Sequence, residues 1–379
     1  MLKRIVSLIL LLSLVCFVLP GLSEESNGDD ELTEEELKEL EELDTAGDED
    51  PTPAGENVFH EKTRFEFDND SPAIYTAKVI NDASLLAEKA KGAERLYYPG
   101  DTRVDVLYVG SAYVVARCNG VIGYVKRDNI TGVTAVDPVN TAPYGVQKPI
   151  YVAVTATECH VRKAMDSTAD SFVVLNPGTY LTVWRVQDGW GIVPYWRTYG
   201  YIDMRELTDL VTVSPTDTPL SAETPIAAYT SYYKMDQTEI NKGRIVNIRV
   251  ACERLSRTMQ PGEELDFNAS VGPYKKALGY KDAWVLINGT SVKGSGGGTC
   301  QVSSTLYNAL LQLPGIEILQ RRPHGPGGAS YLPHGVDAAV GNDKLNLRFA
   351  NGYDFPIRID AHTTNDGALC MVIYRADMD

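Results

Sequence analysis

Cysteine is scarce and scattered in this chain. Of six in 379 residues, Cys16 lies inside the apolar leader, and Cys118, Cys159, Cys252, Cys300 and Cys370 come later at wide intervals. Five is odd, and no C-x-x-C pair occurs, which speaks against a disulfide framework and against a two-cysteine zinc or redox motif. Most of these thiols read as small buried hydrophobes, with a Cys118–Cys159 disulfide as the one pairing considered. Basic charge is also missing. The net charge is −16, yet residues 24–56 hold sixteen acids and one lysine, and with the Lys3 and Arg4 charges also set aside, 57–379 carries only −3. A nearly neutral folded part without a basic patch excludes nucleic acid as a partner. Apolar runs long enough to matter number one, Ile5–Leu19, behind Lys3 and Arg4 and ahead of the small residues Gly21 and Ser23. It is shorter than the ~20 residues of a spanning helix, and it reads as a secretory signal over 1–23, with an uncleaved anchor as the weaker reading. Cys16 has no lipoprotein cleavage box around it.

Beyond the leader, the chain divides by composition. Residues 24–56, rich in Glu, Asp, Thr, Pro and Gly, repel themselves and offer too little apolar surface to fold, which predicts an extended, disordered tether. Two β-rich stretches come next and resemble each other. Pro99-Gly100, Val104, Val106, Tyr108, Tyr113 and Gly123-Tyr124-Val125 recur as Pro177-Gly178, Leu181, Val183, Trp184, Trp190 and Gly200-Tyr201-Ile202, 77 or 78 residues on. Alternating apolar residues punctuated by Gly, Asp and Asn predict short antiparallel strands, and the repeat predicts two copies of one small barrel. The order resembles the bacterial SH3-like domain of secreted wall proteins, closely over 150–211 and more loosely over 72–134. That resemblance implies binding to peptide or glycan, although Trp184, Trp190, Trp196 and Tyr201 read first as core. Residues 213–225 read as a Pro/Thr/Ser linker, leaving 226–379 as an α+β unit. Its expected elements are a helix over Arg244–Thr258 ended by Pro261-Gly262, strands at 265–267, 284–287, 316–319, 345–349 and 356–361, a tight turn at Asn288-Gly289, and a second helix starting just after Cys300 and stopping at Pro314-Gly315.

That second helix carries the chemistry. Gly294-Ser295-Gly296-Gly297-Gly298-Thr299-Cys300-Gln301 leads into Val302, Leu306, Ala309, Leu310 and Leu313 at helical spacing. A cysteine is thus placed where a glycine turn becomes a helix, where unpaired N–H groups converge and the dipole favours a thiolate. The N–H groups of Gly297 to Gln301 are candidate oxyanion donors. His324, after Pro323 in a loop, is the first candidate base; His334, in Pro-His-Gly, reads as a turn residue with the base role as the alternative. Asp337 has two readings, orienting a histidine or capping a turn. A zinc site from Cys300, His324 and His334 would fit no standard spacing, and no cofactor or metal is expected.

The unit resembles a VanW domain over about 240–362. The matching stretches run in order: Arg244-Ile245-Val246-Asn247-Ile248, Pro261 to Asn268, Val271-Gly272-Pro273, Gly279-Tyr280, Gly296 to Ala309, Arg321-Arg322-Pro323-His324 and Tyr331 to Val340. It departs where Gly325 stands in place of the usual serine and Ser304 in place of a threonine. The resemblance implies a secreted wall protein, in a family named for glycopeptide-resistance clusters and including cysteine L,D-transpeptidases of peptidoglycan. The fold expected is therefore multidomain, two small all-β SH3-like barrels and then an α+β VanW-type domain. The expected partners are peptidoglycan stem peptides and, through the SH3-like units, the cell wall or outer surface. Cys300 would be the nucleophile, His324, His334 and Asp337 its partners. Arg322, with Arg244, Asn247, Gly297, Gly298 and Gln301, would contact substrate. The other readings are a non-catalytic peptidoglycan- or glycopeptide-binding protein and, more weakly, a cysteine carboxypeptidase.

Overall fold

The computed structural model describes residues 62–377 apart from 80–83, 90–92, 111–112, 138–140, 142, 145–147, 288–289, 325–328 and 334. The expected signal, tether, Asn288-Gly289 turn and His334 lie outside the described residues. Among the described residues, no helix is long and apolar enough to cross a membrane.

The first unit is a seven-stranded sheet in the spatial order 95–97, 84–86, 121–126, 113–118, 103–109, 75–79, 130–135. Period-two burial is plain in Tyr75–Val79, where Tyr75, Ala77 and Val79 face the core. The second unit has two sheets. Five strands run in the order 171–175, 159–162, 198–203, 190–195, 185–187, and three in the order 180–183, 151–155, 207–212. Val161, Leu181, Val183, Val193 and Ile202 fill one shared core. No sheet among the described residues closes on itself, so the expected barrels are open arrangements. The repeat itself reappears in the order of elements. Strands 113–118 and 121–126, a short 3-10 turn at Arg127–Asn129 and strand 130–135 are matched by strands 190–195 and 198–203, a turn at Met204–Glu206 and strand 207–212.

The expected linker is tied down. Val213 and Ser214 are buried, Ser214 N–H donates to the Pro225 carbonyl at 2.7 Å, and Pro225 already begins a strand of the last unit. That strand, Pro225–Tyr232, is buried along its whole length. With both faces covered it shows no alternation, which is why periodicity does not find it. It edges a four-stranded antiparallel sheet ordered 225–232, 368–375, 357–362, 257–259. A three-stranded sheet (264–266, 348–351, 316–320) and a hairpin (282–287 with 290–295) complete the unit.

Three helices pack on this frame: α1 (Glu239–Leu255), α2 (Phe267–Val271) and α3 (Thr299–Leu310). α1 begins five residues before the expected start because Thr238 Oγ1 accepts the Asn241 N–H, an N-cap. It ends at Leu255 rather than Thr258, since Arg257–Met259 pairs with Ile357–Ile359. Pro261-Gly262 thus comes after a strand, not a helix. Phe267 leaves the expected strand to open α2, capped by Asp266. α3 includes Cys300 in its first turn instead of starting after it. It lies on strands 225–232 and 368–375 and against α1. The second unit is fastened to the last one by polar contacts: Thr182 N–H to Thr230 Oγ1 at 2.9 Å, Asn176 N–H to Asp366 Oδ2 at 2.8 Å, and Thr179 Oγ1 to the same carboxylate.

Candidate active site

The glycine loop before Cys300 is dictated by crowding. A Cβ on Gly297 would stand 2.1 Å from the Trp284 carbonyl oxygen, and Gly298, at φ +101°, is the helix N-cap in a left-handed conformation. A glycine cap offers no side-chain acceptor, so the first N–H groups of α3 must find other partners. Thr299 N–H donates to Gly296 O and Gln301 N–H to Gly298 O, at 3.2 and 3.1 Å. Among the described residues the N–H groups of Gly297, Gly298 and Cys300 have no such acceptor, so of the expected oxyanion donors in Gly297–Gln301 only those of Thr299 and Gln301 are spent.

Cys300 is half-buried, its Sγ 3.5 Å from the Val340 carbonyl oxygen. Cys118, Cys159, Cys252 and Cys370 are buried and free, so the Cys118–Cys159 disulfide is not formed. Beside Cys300 lies His324, buried, with its Nδ1 2.6 Å from Asp337 Oδ2; the same oxygen accepts the His324 backbone N–H at 2.6 Å. His324 Nε2 is buried and takes no protein partner. Burial pulls the His324 imidazole down, but the Cys300 and Asp337 charges outweigh it and hold the ring well above its ordinary value. Asp337 feels burial in the opposite sense, and the bond and charge of His324, with Arg321, keep its carboxyl well below the usual range. A cysteine sulfur, an imidazole and a buried carboxylate therefore sit in series. Of the two readings of Asp337, the histidine-orienting one matches this geometry.

Buried polar groups on α3 account for the series. Gln301, Ser303, Ser304, Thr305 and Asn308 are all at 0% exposure. Ser303 Oγ donates to the Ala338 carbonyl at 2.6 Å, Ser304 Oγ accepts the Ala338 N–H at 2.8 Å, and Asn308 Nδ2 donates to the Val336 carbonyl at 2.6 Å. These bonds clamp segment 336–340, which carries Asp337, along the helix that carries Cys300. The signal was present as polar residues at i and i+4 in an otherwise apolar helix.

The remaining expected residues fall into two groups. Asn247 is fully buried, its amide donating to Lys281 O and Gly297 O and its oxygen accepting the Lys281 N–H. Gln301 is likewise spent, accepting from Arg244 at 2.9 Å and donating to Ser231 Oγ at 2.9 Å. Both amides thus hold the loop from inside. Gly297 and Gly298 are buried under Trp284 and Arg244. Arg322 is half-buried, and its carbonyl accepts the Ala339 N–H. Its neighbour Arg321 donates from Nε to the Asp337 carbonyl at 2.8 Å, and its Nη2 lies 3.6 Å from Asp337 Oδ1. Sequence reasoning also missed Tyr274, which lies under Gly296; burial and the nearby Cys300 push its phenol up. Among the described residues, no group of three His, Cys, Asp or Glu side chains is set to hold a metal ion.

The segment bearing this geometry, residues 243–374, matches the family described as "VanW like protein". Residues 243–374 form a VanW-like domain. A Bacillus subtilis (strain 168) protein named "Uncharacterized protein YoaR" is 34% identical over 154 residues, 40% of this chain and 48% of that protein. The "Vancomycin B-type resistance protein VanW" of Enterococcus faecalis is 30% identical over 142 residues, 36% of this chain and 51% of that one. The chain thus spans about half the length of these curated relatives. The solved "Structure of NlpC2 from Trichomonas vaginalis" aligns with 81% of this chain and 98% of its own at 11% identity, but at a TM-score of 0.17 the likeness carries no argument. Strand 225–232, which lies before the matched residues, pairs with strand 368–375 inside them.

Proposed function

We propose that the chain is an exported cell-wall protein whose VanW-like domain is a cysteine acyltransferase, an L,D-transpeptidase on peptidoglycan stem peptides. The observation that carries the reading is the Asp337–His324 bond, which leaves Nε2 buried and unpartnered beside Cys300. The thiolate sulfur attacks the amide carbon before a terminal D-alanine, and the Cys300 N–H receives the oxyanion. Imidazolium Nε2–H gives its proton to the leaving nitrogen, the C–N bond breaks, and a thioester remains. A side-chain amine of a second stem then attacks that thioester. His324 takes its proton, and the thiolate leaves. The same reading assigns the domains: an exported leader at 1–23, an acidic tether at 24–56, SH3-like wall-binding units at 72–134 and 150–211, and the VanW-like domain from 226.

Mass spectrometry of residues 57–379, as Cys300 and Cys300→Ala proteins, with a disaccharide-tetrapeptide tests it. Cross-linked dimer with D-alanine released by the Cys300 protein alone is expected. Tripeptide without dimer would make the protein a carboxypeptidase, and no product from the folded Cys300 protein would favour the binding-protein reading.

A further inference from the structure

Beside the glycine loop, but outside the cysteine, histidine and carboxylate series, lies an open cleft. Its lining includes Trp196, Lys234, Arg244, Trp284, Gln301 and Tyr331. Trp284 and Arg244 of this lining pack against Gly297 and Gly298, so the cleft borders the loop that leads into Cys300. Two cations stand over aromatic faces: Lys234 Nζ is 5.5 Å from the Trp196 ring centroid and the Arg244 guanidinium 5.7 Å from that of Tyr331. Lys234 is exposed and has no carboxylate partner among the described residues. The one acid of the lining, Asp236, is committed to the start of α1, accepting from Thr238 N–H and Oγ1 at 3.1 and 2.6 Å. With Lys234 and Arg244 against Asp236, the lining carries one net positive charge, and its walls are aromatic.

Trp196 belongs to the second β-rich unit, not to the VanW-like domain. It has φ +53°, a conformation that a bulky residue rarely adopts. Its indole N–H donates to the Tyr232 carbonyl at 3.1 Å, which fixes the ring at the end of the buried strand 225–232. Strain of this kind persists where the surroundings over-determine it. The cleft is thus incomplete in the domain taken alone.

We propose that this cleft binds a carboxylate-bearing peptide segment of the acyl donor, with Lys234 taking the carboxylate and Trp196 and Tyr331 the flanking apolar surface. The proposal rests on the acyl-transfer reading of Cys300 for the direction in which the peptide lies. Trp196 is then a specificity residue supplied by the neighbouring unit.

The test is calorimetric titration of the full chain carrying Cys300→Ala with two tetrapeptides. They are identical except that one internal free carboxylate of the first is a carboxamide in the second. The acid peptide should bind about tenfold tighter, the worth of one charge-assisted contact. Lys234→Gln should shrink that ratio, and Trp196→Ala should weaken both peptides. Equal affinities, absence of binding to either peptide, or a ratio untouched by Lys234→Gln would each overturn the proposal. Because the readout needs no turnover, the two readings fail separately. A cleft that discriminates in a protein that transfers nothing refutes only the chemistry, and transfer with equal affinities refutes only the cleft.

Discussion

Two cysteines of the VanW-like domain sit in helices, at opposite ends. Cys252 lies in the last turn of α1, Cys300 in the first turn of α3. At Cys252 the helix ends in carbonyls, and the Cys252 carbonyl accepts from both the N–H and Oγ of Ser256 at 3.2 Å. Burial, with Glu253 nearby, pushes that thiol well up. At Cys300 the helix begins with an unspent N–H, and a histidine charged by its own carboxylate stands beside the sulfur. The same side chain is fully packed at one terminus and half-buried beside an imidazole at the other. What separates them is which backbone groups are left over and what charge faces the sulfur.

The largest effect should come from exchanging the sulfurs. Cys300→Ala should abolish any acyl-enzyme adduct in intact-protein mass spectrometry, whereas Cys252→Ala should retain it. Iodoacetamide should label Cys300 in the folded chain and leave Cys118, Cys159, Cys252 and Cys370, the last pushed up to about 12 by burial, untouched until denaturant is added. Labelling of Cys252 in the folded protein would erase the contrast.

Next in size is the loss of the charge behind the histidine. Asp337→Asn should lower kcat/KM by about 10²–10⁴, the range for a misdirected general acid–base. It should also move the alkaline limb of the pH profile to lower pH, because Asp337 helps hold the ring above its ordinary value. Cys300→Ala should shift the His324 imidazole titration, followed by NMR, in the same direction. The signs for stability are opposite for the two partners. His324, raised on folding, contributes fully below its unfolded value, and that contribution fades as pH rises through the folded one. Asp337, lowered on folding, contributes fully above its unfolded value and loses this as pH falls towards the folded one. The pair therefore favours the fold most between roughly pH 4 and 6.5, and denaturant midpoints across pH should show that window flatten in Asp337→Asn.

Part of the candidate site is legible in the sequence. A glycine turn running into apolar helical spacing marks the helix that carries Cys300, and the motif stretches from Arg321 to Val340 hold the His324 and Asp337 that the fold bonds together. What stayed hidden depends on contacts far apart in sequence. Strand 225–232 has no alternation because both its faces are covered. Asn247 and Gln301 have the chemistry of substrate contacts, and only the fold shows their amides turned inward. Arg321 and Arg322 are indistinguishable in sequence, and the bond of one to the Asp337 carbonyl separates them. Trp196 reads as the core of its own repeat, yet its ring borders another unit's cleft.

The smaller effects probe how each terminus is held. Asn308→Ala leaves the buried Val336 carbonyl without its donor and should cost about 1–3 kcal/mol in chemical denaturation. It should also reduce activity, since segment 336–340 carries Asp337. At the other helix end, Arg249 and Glu253 form an exposed i,i+4 pair at 2.6 Å, one turn from Cys252. Arg249→Gln should cost no more than about 0.5 kcal/mol and leave turnover unchanged. A change in turnover would mean that the end of α1 is coupled to the site through the Asn247 clamp, and the two termini would then not be independent. A stability change alone would leave the contrast standing, because a solvated charge pair beside a buried thiol reaches neither the sulfur nor the loop that Asn247 holds.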